Sequence, residues 1–146
     1  MDAKRFAIGT IVGGVVLYVT GYLIFDVAFA SFYTANAGSA TGVRRDVQLV
    51  WPMVLGSFSY AALIAFAMGN RAQSSTIGAA VTVGAVVGFL LWFTVDFIFY
   101  GSTNIGNLTR TIVDPLLEIV HGGIGGGAMA LVSNNLLTGR RASRAA

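Results

Sequence analysis

The sequence predicts an all-α protein, an integral membrane four-helix bundle, and two observations carry that prediction. Only 10% of the 146 residues are charged and 55% are hydrophobic, whereas an ordinary soluble domain carries about 25% charged residues. The charges bracket four uncharged runs, at 6–25, 47–70, 72–95 and 119–139. Each run has the roughly 20 residues with which a helix crosses a hydrocarbon core of about 30 Å. Because the links are short, residues 1–146 are expected to form a single transmembrane domain.

The first helix is predicted over 6–29. Gly9 and Gly13 lie one helical turn apart within it, a small-xxx-small step that lets a neighbouring helix approach closely. The polar link that follows, 33–46, is rich in Gly, Ser, Thr and Asn and is therefore expected to be the longest loop.

The second helix is predicted over 47–68, and it opens with Trp51 and Pro52. Tryptophan is typical of the membrane interface, and proline is tolerated in the first turns because its missing N–H is not needed there. Gly69 then provides a C-terminal stop. Tyr60 is interpreted as a packing residue or a weak interhelical hydrogen-bond donor.

The third helix is predicted over 77–100. It follows a Gln-Ser-Ser-Thr segment ending at Thr76, which is a helix-start pattern. Gly84 and Gly88 form a second small-xxx-small step, and the aromatic residues that follow are interpreted as lipid-facing or packing groups.

The fourth helix is predicted over 115–137. Asp114 before Pro115 is an N-cap pattern, since proline is favoured at the first helical position and the residue before it avoids the α region. Two overlapping small-xxx-small steps in its middle predict close packing against another helix, through Gly122, Gly123, Gly126 and Gly127.

Basic residues are distributed unevenly between the two sides of the predicted bundle. Four helices place both termini and the link between helices 2 and 3 on one side. Six basic residues belong to that side and three to the other, namely Lys4, Arg5, Arg71, Arg140, Arg141 and Arg144 against Arg44, Arg45 and Arg110. The positive-inside rule therefore predicts that both termini are cytoplasmic.

An internal similarity links the two halves of the chain. Residues 13–26 and 84–96 share a Gly-x-Val-Val start and a late Asp followed by aromatic residues. A duplicated two-helix hairpin would explain this pattern and give parallel repeats. Chance similarity among apolar segments explains it equally well, and both interpretations stay open.

Several short motifs along the chain resemble those of a known family. They are Gly21-Tyr-Leu-Ile-Phe, Phe32-Tyr33, Trp51-Pro52, and Gly84 and Gly88 followed by Asp96 and Tyr100, with the glycine-rich fourth helix. Together they look like the small bacterial four-helix inner-membrane proteins of unknown function, a resemblance that covers most of the chain. It implies a multi-pass protein of the bacterial inner (plasma) membrane, and it brings no activity with it.

Most of the intramembrane ionisable residues are expected at one depth. Asp26 and Asp96 come late in helices 1 and 3, while Asp114, Glu118 and His121 open helix 4, and the predicted topology brings all five to the outer leaflet. Asp114, Glu118 and His121 also share one helical face, at i, i+4 and i+7. Such groups normally face the bundle interior, so they are the candidate site together with Arg110.

Three interpretations of this cluster remain open. In the first, His121 and Arg110 pair with carboxylates and Asp114 caps a helix, so the cluster is a structural clamp. In the second, Asp26, Asp96 and Glu118 form a proton or cation relay, since intramembrane carboxylates often mark transport pathways. In the third and weakest, Glu118 and His121 are metal ligands with Asp26 or Asp96, because Glu-x-x-His places both side chains on one face.

Composition argues against several function classes. The chain has no cysteine, which removes thiolate nucleophiles and Cys-ligated metals. The glycine run at 122–127 lacks the Gly-Lys-Ser/Thr ending of a phosphate loop, and the scattered basic residues form no nucleic-acid stripe. No catalytic residue, resident metal or cofactor is therefore expected.

The expected role is that of a non-catalytic accessory or scaffolding subunit in a larger membrane assembly. Its expected partners are membrane lipids and other transmembrane subunits, or a second copy of itself. The alternative is a small proton- or cation-coupled transporter that works as a homodimer through the polar cluster.

Overall fold

The computed structural model describes residues 3–69 and 76–145, with side chains up to residue 133. Arg71 and the side chains of Arg140, Arg141 and Arg144, on which the orientation prediction depends, lie outside what is described. Within the described ranges the structure is helical and has no strand. Its elements are α1 (Ala3–Gly21), a π-helical segment (Tyr22–Ala28) that continues α1, α2 (Ala30–Ala35), α3 (Val50–Gly69), α4 (Ile77–Ser102) and α5 (Leu108–Ala145).

Four helices in the described part of the chain are long and apolar enough to cross a membrane. They cover Ala3–Ala28, Val50–Gly69, Ile77–Ser102 and Leu108–Ser133. The predicted all-α class with four apolar membrane-length helices is thereby confirmed. The first three spans were predicted over 6–29, 47–68 and 77–100. The start at residue 77 agrees with the prediction, and the other ends differ from it by one to three residues.

The C-terminal part of the first span differs from the sequence prediction. It becomes π-helical at Tyr22 and ends at Ala28, and the N–H of Phe29 bonds to the carbonyl of Ile24 at 2.9 Å, one residue further back than in an α-helix. A further short helix, α2, then occupies the start of the predicted loop.

α4 begins where the sequence predicts. Thr76 lies at the N-cap with extended backbone angles, and its hydroxyl oxygen accepts a hydrogen bond from the N–H of Ala79 at 3.2 Å. This bond satisfies one of the N–H groups that a helix start leaves free.

The predicted start of the fourth helix is wrong. α5 begins at Leu108, because Asn107 is its cap: the side-chain oxygen of Asn107 accepts from the N–H of Arg110 at 3.0 Å. Asp114 is therefore not a cap, and Pro115 lies inside the helix, where the missing N–H leaves the carbonyl of Thr111 without its helical partner. The helix also continues beyond the predicted end at 137, to Ala145.

Two loops are paired at the end of the bundle where α5 starts. The N–H groups of Gly38 and Ala40 donate to the carbonyls of Ile105 and Asn104, both at 3.0 Å. The side-chain amide of Asn107 donates to Asn36 Oδ1 at 3.0 Å. Asn107 therefore fixes the start of α5 and the 36–40 loop at the same time.

Replacing Asn107 with alanine is expected to destabilise the protein by about 1 kcal/mol, because the helix loses its cap. The amides of Gly38 and Ala40 should also exchange faster in hydrogen–deuterium exchange, since the loop pairing loses its side-chain bond. Ser102→Ala is the matched control, because the Ser102 hydroxyl bonds only to the carbonyl of Ile98 in its own helix. Equal exchange rates in the two variants would contradict this role of Asn107.

α5 is the central helix of the bundle. Half of the residues in its apolar stretch are buried, whereas the buried share is 22% in the first span and 17% in both α3 and α4. It packs most extensively on α4 and also on α1, while α3 packs on α1. The largest apolar side chains that are fully buried among these helices are Leu17, Ile64 and Met129.

The backbones of α4 and α5 touch where the two helices cross. A Cβ built on Gly84 would overlap the carbonyl oxygen of Gly122 and lie 3.2 Å from the Cα of Gly126. A Cβ built on Gly88 would lie 2.5 Å from the carbonyl oxygen of Glu118. No side chain fits between the helices here, so glycine is required for this approach.

The remaining candidate packing glycines differ in how closely they are approached. A Cβ on Gly126 would overlap the carbonyl oxygen of Ala80, and one on Gly13 would lie 3.2 Å from the Cβ of Ala61. The nearest atoms stand at 3.4 Å for Gly123, 3.0 Å for Gly127 and 3.9 Å for Gly9. Gly9 therefore has room for a Cβ atom, whereas Gly126 has none.

Candidate functional site

One face of α5 carries a row of polar side chains that begins near the loops and ends in the middle of the bundle. Its members are Arg110, Asp114, Glu118 and His121, spaced by four, four and three residues, so they stand above one another on the helix. Asp114, Glu118 and His121 are buried, with 8%, 2% and 6% of their surfaces exposed. In a membrane-spanning helix, such groups need partners from neighbouring elements.

The inner end of the row is a hydrogen-bonded group of three side chains and one carbonyl. His121 Nδ1 lies 2.9 Å from Glu118 Oε2, and His121 Nε2 lies 2.9 Å from the carbonyl oxygen of Leu17 in α1. The hydroxyl of Tyr60 in α3 donates to Glu118 Oε2 at 3.2 Å. α1, α3 and α5 therefore meet at these two side chains of α5.

Aromatic rings and a glycine enclose His121. The ring of Phe25 stands edge to face with the imidazole at 5.5 Å, and the ring of Tyr60 does so at 5.8 Å. A Cβ on Gly21 would lie 3.3 Å from Cε1 and Nε2 of His121. The absence of a side chain at Gly21 thus lets the imidazole approach the α1 backbone closely enough to reach Leu17.

The outer end of the row is covered by Tyr33 of α2. The Tyr33 hydroxyl donates a hydrogen bond to Asp114 Oδ1, and the guanidinium of Arg110 lies over the Tyr33 ring, 5.1 Å from its centre. A cation above an aromatic face is attracted by the negative face of the ring. One tyrosine therefore holds two members of the row.

The other two predicted site residues lie differently. Asp26 of the π-helical segment pairs with Arg44 at 2.5 Å, and the Arg44 side chain is 68% exposed, so Asp26 bonds to the loop rather than to the row. Asp96 of α4 is within electrostatic range of Arg110 and Glu118. Its buried Oδ2 has no hydrogen-bond partner among the described residues.

Sequence reasoning found the row but not the groups that complete it. Tyr33 was not a candidate, and Tyr60 was interpreted as a packing or weak hydrogen-bonding residue. A tyrosine in an otherwise uncharged helix is a usable signal, because a buried phenol hydroxyl normally finds a partner. The carbonyl of Leu17 has no signal in the sequence, since every residue carries one.

Both ring nitrogens of His121 and one carboxylate oxygen of Glu118 are engaged in other contacts. A carbonyl oxygen only accepts hydrogen bonds, so Nε2 of His121 carries a hydrogen and has no lone pair for a metal. Glu118 Oε2 contacts both Tyr60 and His121. Among the described residues, no group of three or more His, Cys, Asp or Glu side chains is placed to hold a metal ion.

Below His121 the interior of α5 is apolar. Residues 122–130 are Gly, Ile, Ala and Met only, a stretch of about 13 Å at 1.5 Å per residue. Leu17, Ile64 and Met129 belong to the apolar core. The row therefore reaches from the loop side to the middle of the bundle and stops there.

Comparison with known proteins gives no family for the chain, so the resemblance to the small bacterial inner-membrane proteins stays a prediction. No protein-family model, curated protein or solved structure matches it.

Proposed function

We propose that this protein is a non-catalytic accessory or scaffolding subunit that packs within a larger assembly in the bacterial inner membrane, with both termini in the cytoplasm. One observation carries the proposal: the buried ionisable groups of α5 are bonded to other helices of the same bundle. Glu118 contacts Tyr60, His121 contacts Leu17, and Asp114 contacts Tyr33. These bonds hold α1, α2 and α3 against α5, so the polar groups have a structural role within the bundle.

The exterior of the bundle supports the same role. Only 17% of the residues in the apolar stretches of α3 and α4 are buried inside the chain, so both helices leave a large part of their surface for lipid or other transmembrane segments. Large apolar side chains on these surfaces are widely exposed, among them Trp51, Phe66, Leu90 and Phe99. A small protein that exposes many large apolar side chains, and whose buried ionisable groups on α5 are bonded within the bundle, is suited to contacts within the membrane.

Native mass spectrometry of gently solubilised membranes tests the proposal. The tagged chain is expected to emerge with larger membrane subunits, in a fixed ratio and with bound lipid. A tagged four-helix membrane protein of similar size, purified in parallel, controls for nonspecific capture. A chain that emerges only as a monomer or a homodimer would contradict the accessory role.

A second candidate, a proton- or cation-coupled homodimeric transporter, is favoured by one observation. Asp96 Oδ2 is buried without a hydrogen-bond partner among the described residues, as a carboxylate that exchanges ions would be. The apolar stretch at 122–130 weighs against a continuous polar path through one chain. A homodimer free of other subunits is the result that would favour this alternative.

A further inference from the structure

The hydrogen bonds of His121 fix how many protons the buried pair holds. The Leu17 carbonyl can only accept, so Nε2 carries a hydrogen. The contact between Nδ1 and Glu118 Oε2, at 2.9 Å, also requires a hydrogen, which is bound either to the nitrogen or to the oxygen. An imidazolium facing a carboxylate and a neutral imidazole facing a carboxylic acid both satisfy this geometry. The two forms contain the same number of protons.

Both forms hold one proton more than a neutral histidine beside an ionised glutamate. If that proton leaves, the single remaining imidazole hydrogen cannot serve two acceptors. With the hydrogen on Nε2, lone pairs of Nδ1 and Oε2 face each other; with the hydrogen on Nδ1, lone pairs of Nε2 and the Leu17 carbonyl do so. An unpaired buried polar group is costly, so one of the two bonds must open. A hydrogen bond to an ionised carboxylate is stronger than one to a neutral carbonyl, so the remaining hydrogen stays on Nδ1 facing Glu118, and the bond to the Leu17 carbonyl opens.

The groups that face the pair come from every neighbouring element. From α3, Tyr60 donates to Glu118 Oε2. From α5 itself, Asp114 lies one turn above Glu118 and within electrostatic range of both partners. From α4, Asp96 is within range of Glu118, as it is of Arg110. From α1, the facing group is the backbone carbonyl of Leu17. This group carries no charge and cannot take the place of the proton when it leaves.

The bond to α1 lies next to an irregular part of the helix. Leu17 is four residues before Gly21, after which the first span becomes π-helical over Tyr22–Ala28. Single π-helical turns within α-helices frequently occur at functional sites. Phe25 of this segment packs on the His121 ring, and Asp26 connects the segment to Arg44 of the outer loop.

The geometry points to a proton-binding switch: the proton shared by His121 and Glu118 fastens α1 to α5 at Leu17, and its release frees the π-helical segment Tyr22–Ala28 from α5. The ligand of this site is a proton, and the moving part is the outer end of the first span. As the pH rises through the release, α1 loses its polar attachment while its apolar contacts remain. The switch does not depend on whether the protein is a scaffold or a transporter.

The full chain in lipid nanodiscs allows a direct test, because His121 is the only histidine. With ¹⁵N-labelled histidine, every ring nitrogen signal comes from this site. Nε2 should carry a hydrogen at all pH values at which the attachment is closed, and it should lose that hydrogen in a single step as the pH rises. A bare Nε2 in the closed state, or a ring that shows no titration over the folded range, would overturn the proposal.

Movement is measured on the same samples. The chain has no native cysteine, so spin labels can be placed at Val27→Cys and Val120→Cys, two side chains that are 55% and 56% exposed. The distance between the labels should change with the same pH midpoint as the Nε2 signal. A distance that stays constant while Nε2 loses its hydrogen would show that the proton does not control the attachment.

Glu118→Gln separates the proton from the shape of the side chain. The glutamine amide can donate to a neutral Nδ1 while Nε2 still donates to Leu17, so the attachment is closed without a shared proton and the step in distance should disappear. Asp26→Asn is the control, because it removes the titratable group of the moving segment and should leave the step unchanged. A step that persists in Glu118→Gln, or disappears in Asp26→Asn, would overturn the assignment.

Discussion

Gly84→Ala is expected to destabilise the bundle by about 3 kcal/mol, at the upper end of what overpacking usually costs. The added Cβ would overlap the carbonyl oxygen of Gly122 and press on the Cα of Gly126. Both are backbone atoms, so no rotation of a side chain relieves the clash, and α4 and α5 must separate. Reversible unfolding in mixed micelles, followed by circular dichroism, measures the loss.

The same helix supplies the controls for this prediction. Gly78 and Gly101 also belong to α4, and a Cβ on either would meet nothing within 4 Å. Alanine at these two positions should be neutral or stabilise the helix by up to about 1 kcal/mol, the difference in helix propensity. If Gly84→Ala behaves like the controls, the close crossing of α4 and α5 is wrong.

A double-mutant cycle on the buried pair should show the second largest effect. Glu118→Leu leaves the Tyr60 hydroxyl and His121 Nδ1 without their acceptor, and His121→Leu leaves Glu118 without its main partner. Each single change is expected to cost about 3 kcal/mol, as removing one member of a buried pair does. The double variant should cost less than the sum by about 1–2 kcal/mol, within the range of coupling energies between residues that share a hydrogen-bond network.

The exposed ion pair provides the comparison for this cycle. Asp26→Asn and Arg44→Gln should each change the free energy of unfolding by less than about 1 kcal/mol, because the pair lies at the surface. Unfolding in mixed micelles is again the measurement. Additive effects of Glu118→Leu and His121→Leu, within about 0.5 kcal/mol, would mean that the two side chains are not coupled.

The membrane helices were predictable because length and the absence of charge are physical requirements for crossing a bilayer. The start of α5 was not, since two local patterns compete there. Asp114-Pro115 is a good helix start by itself, and Asn107 is another. The pairing of Asn107 with Asn36 favours the earlier start, and this contact between distant parts of the chain cannot be inferred from local sequence.

The candidate site was also predictable only in part from the sequence. Spacing along one helix placed Glu118 and His121 on one face, and the structure brings them together at 2.9 Å. The partners from other helices depend on how each helix is rotated about its own axis, which the sequence does not specify when a helix is apolar all round. Asp26 has the predicted depth in its helix but bonds to Arg44, because the π-helical turn changes the direction of the residues that follow Gly21.

The central position of α5 also bears on how the protein is made. α5 follows the other three spans in the chain, so it enters the membrane last during synthesis, and it is the most polar of the four. A carboxylate in the middle of a lone helix opposes insertion by about 2.5–3.5 kcal/mol. When Glu118 and His121 leave the translocon, however, Tyr60 is already in the bilayer to bond Glu118 and the Leu17 carbonyl is there to bond His121. The order of the helices thus lets the earlier spans act as a template for the insertion of the last one, and the bundle closes only when synthesis of its membrane part is complete.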